Sequence, residues 1–452
     1  MTLVSTMGAF VSGLTVETIP GSILDSARDR LLDALSTAVA GRDMPVTRAI
    51  VASTVAGGAT GGTSAVFPTG GRASAQDAAL INGTAIHALL FEDYFPVSGD
   101  HPGAAVVPAA LAAVESGAAL RGRPGTVGDV LVAVVAGYEM QVRLGLMTGK
   151  RVWNRNFRTT PVLGSVAASA AAASAFGLPA DRTAAALSMG ANMAGGFLEA
   201  FAHGTMEPYI HGGIAARNGL LAGWMGYGGV ETAPPTFEGS AGYFAVFGDG
   251  ELARDDFSDE WGIPDVIAKT YPASGGKTNM LDSAVAIFEQ GVKPEDIVSV
   301  LVREPSEVHS FPGSDNKGPY NNMYEVQDST QFLVAASLLG RPMRSLSTMQ
   351  NFTDPEVLEL AQRIDSVGED GRYSTGSALA TIEVTLRNGS TVVSELINQG
   401  AHAPSVESMS GKLRTLTEGA WTADQTERVI DLIVGDPSTP VEELSSALQG
   451  QQ

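Results

Sequence analysis

A chain of 452 residues with 28 basic and 49 acidic side chains carries a formal charge of −21, which repels phosphate backbones and argues against nucleic-acid partners. Apolar residues make up 44% and charged residues 17%, the balance of a globular protein with two or three domains' worth of core. No cysteine occurs, so disulfides, thiolate nucleophiles, iron–sulfur clusters and cysteine-based zinc sites are excluded. The N-terminus has no basic run ahead of its apolar residues, and no stretch of about 18 apolar residues stands out. The expectation is a cytoplasmic protein with no membrane partner.

The first part of the chain reads as helical. Residues 20–39 space Ile23, Leu24, Ala27, Leu31, Leu32 and Leu35 along one helix face. Residues 75–92 and 104–121 are alanine- and leucine-rich helices, and 127–147 is another. Residues 164–178 have almost no polar face and are expected to be buried among other helices, a pattern continued by 181–195 and 214–228. After Trp261 the pattern changes. Residues 297–303 alternate as a strand, and 379–386 with 391–397 flank Asn388-Gly389, a strong hairpin signal. Helices at 278–291 and 325–340 complete an α+β region, 306–323 is a long loop expected to be mobile or functional, and 405–449 return to helical periodicity. The predicted fold is mainly α: residues 1–265 and 401–452 are helical and flank a smaller α+β domain over 266–400.

Four stretches can carry chemistry. Residues 82–115 place His87, Glu92, Asp93, Asp100 and His101 between two apolar helices, with Asp100-His101-Pro102-Gly103 as a turn. The bland alternative is a capping Asp100 beside a surface-turn histidine. Residues 150–161 gather Lys150, Arg151, Arg155 and Arg158 without an acid, and Thr160-Pro161 reads as a helix start suited to a carboxylate or phosphate. Residues 268–279 offer Lys269, Tyr271, Ser274 and Lys277 around Gly275-Gly276 at the inferred domain junction, with only a weak match to a phosphate loop. His203, Glu207 and His211 have the spacing of three ligands on one helix face, but Pro208 and the paired glycines are expected to break that helix, so no metal is expected there.

The chain resembles the MmgE/PrpD superfamily, whose members include 2-methylcitrate dehydratase, cis-aconitate decarboxylase and iminodisuccinate epimerase. The resemblance rests on NGTAIHALLFEDY with DHPGAAVVPAALA, GYEMQVRLG, HGGIAARNGLLAGWMGYGG, FEGSAGYFAVFG, KTYPASGGKTNMLDSA and PSVESMSGKLRTLTEGA, in order over nearly the whole chain. It implies a large all-helical domain built from both chain ends with a smaller α+β lid domain between them, a homodimer, and cofactor-free chemistry on small polycarboxylates. It also places His101 on the family's active-site histidine, Asp93 on its acidic partner and Lys269 on a basic position. Arg158 stands where the family's pattern usually has histidine, Glu207 where it often has lysine, Ser274 at another common histidine and Phe332 at a tyrosine. The member is a divergent one.

Proton abstraction beside a carboxylate builds negative charge that positioned cations and N–H groups must meet. His101 suits the base, oriented by Asp93 or Asp100. The expected catalytic set is His101, Asp93, Lys277, Lys269 and Tyr271, and the expected substrate-binding set is Arg158, Thr159, Ser274, Glu207 and His211, with no metal and no cofactor. The expected activity is that of a cofactor-independent lyase, first a dehydratase of a citrate-like or substituted di- or tricarboxylic acid. An epimerase or decarboxylase in the same cleft, or a non-catalytic helical binding protein, is the alternative.

Overall fold

The computed structural model describes residues 2–58, 61–149, 151–248, 260–374, 377–396 and 404–449, so Lys150 lies outside it. The protein is mainly α and divides into two compact units. The first comprises Met1–Phe197, Tyr209–Ile267 and Ala403–Gln452, and the second Leu198–Pro208 and Ala268–His402.

The first unit is a multi-layer helical body. Its main helices are α1 (Leu3–Ser12), α2 (Gly21–Ala40), α3 (Ala75–His87), α4 (Pro102–Ser116), α5 (Val127–Thr148), α6 (Thr159–Phe176), α7 (Ala180–Asn192) and, from Tyr209 onward, α8 (Glu207–Gly228). Thr126 and Asp129 close a capping box at the start of α5, satisfying two otherwise orphaned N–H groups. The central helix is α6, packed along α5, α4 and α7, and alanine and glycine let its neighbours come close. A Cβ on Gly219 would fall 2.3 Å from that of Ala168, and one on Gly164 would fall 2.8 Å from that of Ala105. Both α5 and α6 are long and apolar enough to cross a membrane, contrary to the sequence reading, but 94% of each 18-residue window is buried inside the protein. Their apolarity is that of core helices surrounded by other helices.

Pro208 and Gly212-Gly213 do not break α8 as expected. Pro208 sits at its first turn, where a missing N–H costs nothing. The glycines serve contact instead: a Cβ on Gly213 would meet the Leu80 carbonyl oxygen at 2.2 Å, and one on Gly83 would meet the Gly213 Cα at 2.7 Å. Backbone therefore crosses backbone where α3 meets α8, which brings the end of α3 beside the start of α8. The C-terminal helices Val406–Thr417, Ala423–Val434 and Val441–Gln449 return to this unit, the first of them against α2.

The second unit holds a four-stranded sheet of β1 (Ile297–Pro305), β2 (Ile364–Glu369), β3 (Thr381–Leu386) and β4 (Thr391–Ser394), in the order β2-β1-β3-β4. β1 runs parallel to β2, with Val302 opposite Ser366, and antiparallel to β3, with Val302 opposite Ile382. The β3–β4 hairpin turns at Asn388-Gly389, where Gly389 has φ +82°. Helix Thr278–Glu289 packs on this sheet and on a second helix. The helix expected over 325–340 is two, Met323–Asp328 and Thr330–Leu338, divided at Ser329, whose hydroxyl accepts from the Phe332 N–H at 3.0 Å. The 306–323 loop is tied down by hydrogen bonds, among them Tyr320 to Ser329 at 2.9 Å and the Asn316 N–H to Gln331 at 2.9 Å.

Candidate active site

Between the end of α3 and the start of α4 the chain makes a buried loop that carries five ionisable side chains, Glu92, Asp93, Tyr94, Asp100 and His101. Leu90 adopts φ +50° to enter it, a conformation a branched side chain takes only when its surroundings enforce it. Three anchors hold the loop. Tyr94 and Ile267 exchange both backbone hydrogen bonds at 2.9 Å, and the Phe95 N–H donates to the Asp100 carbonyl at 2.9 Å. Lys412, from the C-terminal return, donates to the Phe91 carbonyl at 2.6 Å and to Asp33 at 2.6 Å while lying 4.2 Å above the Phe91 ring.

Two imidazoles converge on this loop. Glu92 Oε1 lies 2.5 Å from His87 Nδ1 and 3.0 Å from His101 Nδ1, and both Glu92 and His87 are fully buried. His101 Nδ1 also lies 2.8 Å from the Asp93 carbonyl oxygen. A carbonyl only accepts, so His101 carries its proton on Nδ1, and Nε2 is the position that can take or give one. Burial pushes His87 down to about 3, with Arg158 acting the same way against the pull of Glu92, so His87 is neutral. The ligand atoms of His87, Glu92 and His101 lie within 4.8 Å of one another, a spacing a metal ion can span. The atoms that face Glu92 are however the two Nδ1 positions, and the Asp93 carbonyl requires a proton on one of them, so the group fits a hydrogen-bonded cluster better than a coordination site.

The carboxylate on His101 is thus Glu92, where the sequence pointed to Asp93 or Asp100. Asp93 contributes its backbone carbonyl, and its side chain accepts from the Gly103 N–H at 2.9 Å and from the Tyr138 hydroxyl at 2.5 Å. Burial raises Asp93 to about 7, opposed by Arg30. Asp100 does not cap α4; its carboxylate accepts from Ser98 and Gln141, and burial raises it to about 6. His101 is itself the N-cap residue of α4 and only 5% exposed, so it is no surface-turn histidine.

Arg158 is the N-cap residue of α6, which begins at Thr159, two residues before the expected start at Pro161. Its side chain is buried and its N–H donates to the Gly196 carbonyl at 2.9 Å. Gly196, at φ +128°, lies against α6 and α8: a Cβ there would meet Pro161 Cγ at 2.6 Å and the His211 ring at 3.2 Å. Burial, and after it Arg158, lowers His211 to about 3, and His211 Nδ1 has no hydrogen-bond partner among the described residues. The Thr159 hydroxyl is engaged within the protein. It donates to the Gly99 carbonyl at 3.1 Å and accepts from the Trp153 ring N–H at 3.3 Å. Glu207 is exposed at the start of α8, and His203 is exposed on a separate short helix, Glu199–His203.

Lys269, Tyr271, Ser274, Lys277 and Phe332 belong to the second unit. Lys269 is buried and donates to the Ala273 carbonyl at 3.3 Å. The Tyr271 hydroxyl donates to Asp282 at 2.7 Å, and burial together with that carboxylate raises it above its ordinary value, which weakens it as an acid. Ser274 is half-buried and its N–H donates to the Gln327 carbonyl at 3.0 Å. Lys277 has all three ammonium protons engaged, by Glu304 at 2.8 Å, Ser314 at 2.5 Å and Thr330 at 2.6 Å, which marks it as part of a buried ion-pair network rather than a cation held for a ligand. Phe332 is fully buried, edge-on to Tyr320 at 5.4 Å.

His87 and Glu92 were visible in the sequence as members of the cluster but carried no assigned role. The available signal was their spacing: five residues apart, at a helix end and in the loop that follows.

Comparison with known proteins agrees with this architecture. Residues 5–255 match the MmgE/PrpD N-terminal domain and residues 271–435 the MmgE/PrpD C-terminal domain. A cis-aconitate decarboxylase of Aspergillus terreus is 26% identical over 456 residues, covering 94% of this chain and 91% of its own. The cis-aconitate decarboxylase of Homo sapiens is 27% identical over 379 residues, covering 79% of this chain and 75% of its own. The cis-aconitate decarboxylase-like protein oryM of Aspergillus oryzae is 29% identical over 279 residues, covering 59% of this chain and 58% of its own.

Proposed function

Given that the chain belongs to the MmgE/PrpD family, we propose that it is a lyase acting on a small polycarboxylic acid, a tricarboxylate such as cis-aconitate before others, with His101 Nε2 as the atom that moves the proton. The observation that carries this reading is the fixed tautomer of His101, held by Glu92 at 3.0 Å and the Asp93 carbonyl at 2.8 Å. The names of the relatives favour decarboxylation over the dehydration expected from sequence. In decarboxylation a carbon–carbon bond to a carboxylate breaks and carbon dioxide leaves. The electron pair left behind takes a proton from the His101 imidazolium. In dehydration the same nitrogen takes a proton from the carbon beside a carboxylate, and hydroxide leaves with a proton from a second acid. Both need an anion receptor in an acidic protein, and Arg158 at the N-terminus of α6 suits a substrate carboxylate.

The test is incubation of the protein with cis-aconitate, citrate and 2-methylcitrate in D2O, followed by NMR. Loss of carbon dioxide or water, or deuterium entry, that disappears in His101→Asn with the fold intact is the expected result. No change in any of these acids, or full turnover by His101→Asn, overturns the reading.

A further inference from the structure

We propose that His87 is a positioning residue that sets the basicity of His101 through Glu92, by donating its Nδ1 proton to the same carboxylate oxygen. This deepens the reading of His101 as the proton-transfer group and rests on it.

The Glu92 carboxylate is buried. It is wholly removed from solvent, a position that strongly favours the neutral acid unless donors hold the charge. His87, also fully buried, supplies one such donor at 2.5 Å, shorter than the 3.0 Å contact from His101. His87 is held where it is by backbone rather than by a polar partner of its own: it is the last residue of α3, whose Gly83 packs against Gly213 of α8, and its ring lies 6.1 Å from that of Tyr209. Its other nitrogen, Nε2, has no hydrogen-bond partner among the described residues, so within this cluster its single polar contact is the one to Glu92.

Glu92 and the Asp93 carbonyl face Nδ1, the Tyr94 ring lies 5.5 Å away and the His87 ring 4.9 Å away. The Asp93 carboxylate is committed to Tyr138 and Gly103, Asp100 is committed to Ser98 and Gln141, and Arg158 acts on His87 and Asp100. Glu92 is thus an anion in contact with the His101 ring, and its charge stabilises a proton gained at Nε2. Remove the His87 donor and the buried carboxylate takes the next proton itself. His101 then loses its anion, and its imidazolium forms only at lower pH.

The experiment is a pH titration of the histidine ring nitrogens by NMR in the full chain, which has six histidines, with His101 assigned from the His101→Asn spectrum. His87→Asn puts an amide N–H where Nδ1 was, and His101 is expected to titrate as in the wild type. His87→Gln moves that N–H to the Nε2 position, and the His101 midpoint is expected to fall by about one pH unit or more. His87→Leu removes the donor altogether and is expected to match His87→Gln, which covers the case where one of the two does not fold. In a Glu92→Gln background neither change should move His101 further. Equal midpoints for wild type and both donor-removing variants, or a shift in His87→Asn as large as in His87→Gln, overturns the proposal. The titration needs no turnover, so a protein inactive on every acid tried would sink the lyase reading without touching this result.

Discussion

Asp93 and His101 touch through the wrong atom for a carboxylate–imidazole pair: it is the Asp93 backbone carbonyl that lies 2.8 Å from His101 Nδ1, while the Asp93 side chain points to Tyr138 and Gly103. Asp93→Asn keeps the carbonyl and can keep accepting from Gly103. Its turnover is expected to fall at least about tenfold less than that of Glu92→Gln, whose loss should approach the 10²-fold or more typical of a disabled proton-transfer group. Steady-state rates of the two variants side by side decide this, and equal losses would contradict it.

Arg158→Lys keeps the charge at the N-cap of α6 but loses the planar fork that grips a carboxylate at two points. KM for the polycarboxylate is expected to rise about tenfold or more, with a smaller change in kcat, since binding rather than proton transfer is affected. A loss confined to kcat would show that Arg158 does not hold the substrate.

Glu115 predicts a pH signature in stability. Burial raises it from 4.5 to about 7, against the donors Ser445 and the Ala65 N–H. The stability it contributes is complete below 4.5 and is lost as pH climbs to about 7, at most about 1.4 kcal/mol per pH unit. Glu115→Gln lacks this slope. Denaturant unfolding across that window should show wild type losing stability relative to the variant as pH rises, and the two running parallel above it. Parallel curves throughout would refute the assignment.

Lys277→Met leaves the Glu304 carboxylate buried beside two hydroxyls with its cation gone. The cost is expected to be about 3–5 kcal/mol in the unfolding of the second unit, and adding Glu304→Gln should recover a large part of it. A single Lys277→Met protein of wild-type stability would instead return Lys277 to the list of ligand-facing cations.

Gly196→Ala is expected to act on structure and site together. Its φ of +128° is costly for alanine, and the new methyl would press on Pro161 and on the His211 ring. A stability loss of about 1–3 kcal/mol with a rise in KM is the expected outcome, read by thermal unfolding and steady-state kinetics. Unchanged KM would separate the 196 turn from substrate binding.

The helical body was legible because its signal is periodic and redundant: residues 20–39 and 127–147 match the helices Gly21–Ala40 and Val127–Thr148 almost end to end. Asn388-Gly389 identified the hairpin for a similar reason, since few residues tolerate that backbone. Local rules misled wherever tertiary contact decided the outcome. Gly212 and Gly213 looked like breakers and are contact points against α3 and α4. Ser329 divides a helix that periodicity ran straight through, because its hydroxyl caps the next turn and the break delivers Thr330 to Lys277. Within the site, the cluster was visible but not its wiring: Glu92 and Asp93 are adjacent and chemically alike, and only the turn of the loop decides which one offers its side chain to the imidazole.

The grip of Lys412 on the Phe91 carbonyl has a bearing on biosynthesis. The loop that bears Glu92 is made early on the ribosome, yet one of its three fastenings is supplied by a lysine 321 residues further along the chain. A nascent chain halted before residue 412 would leave Asp33 without its lysine and the loop loosely tethered. The histidine–glutamate cluster would then be fully fastened only once residue 412 has been made.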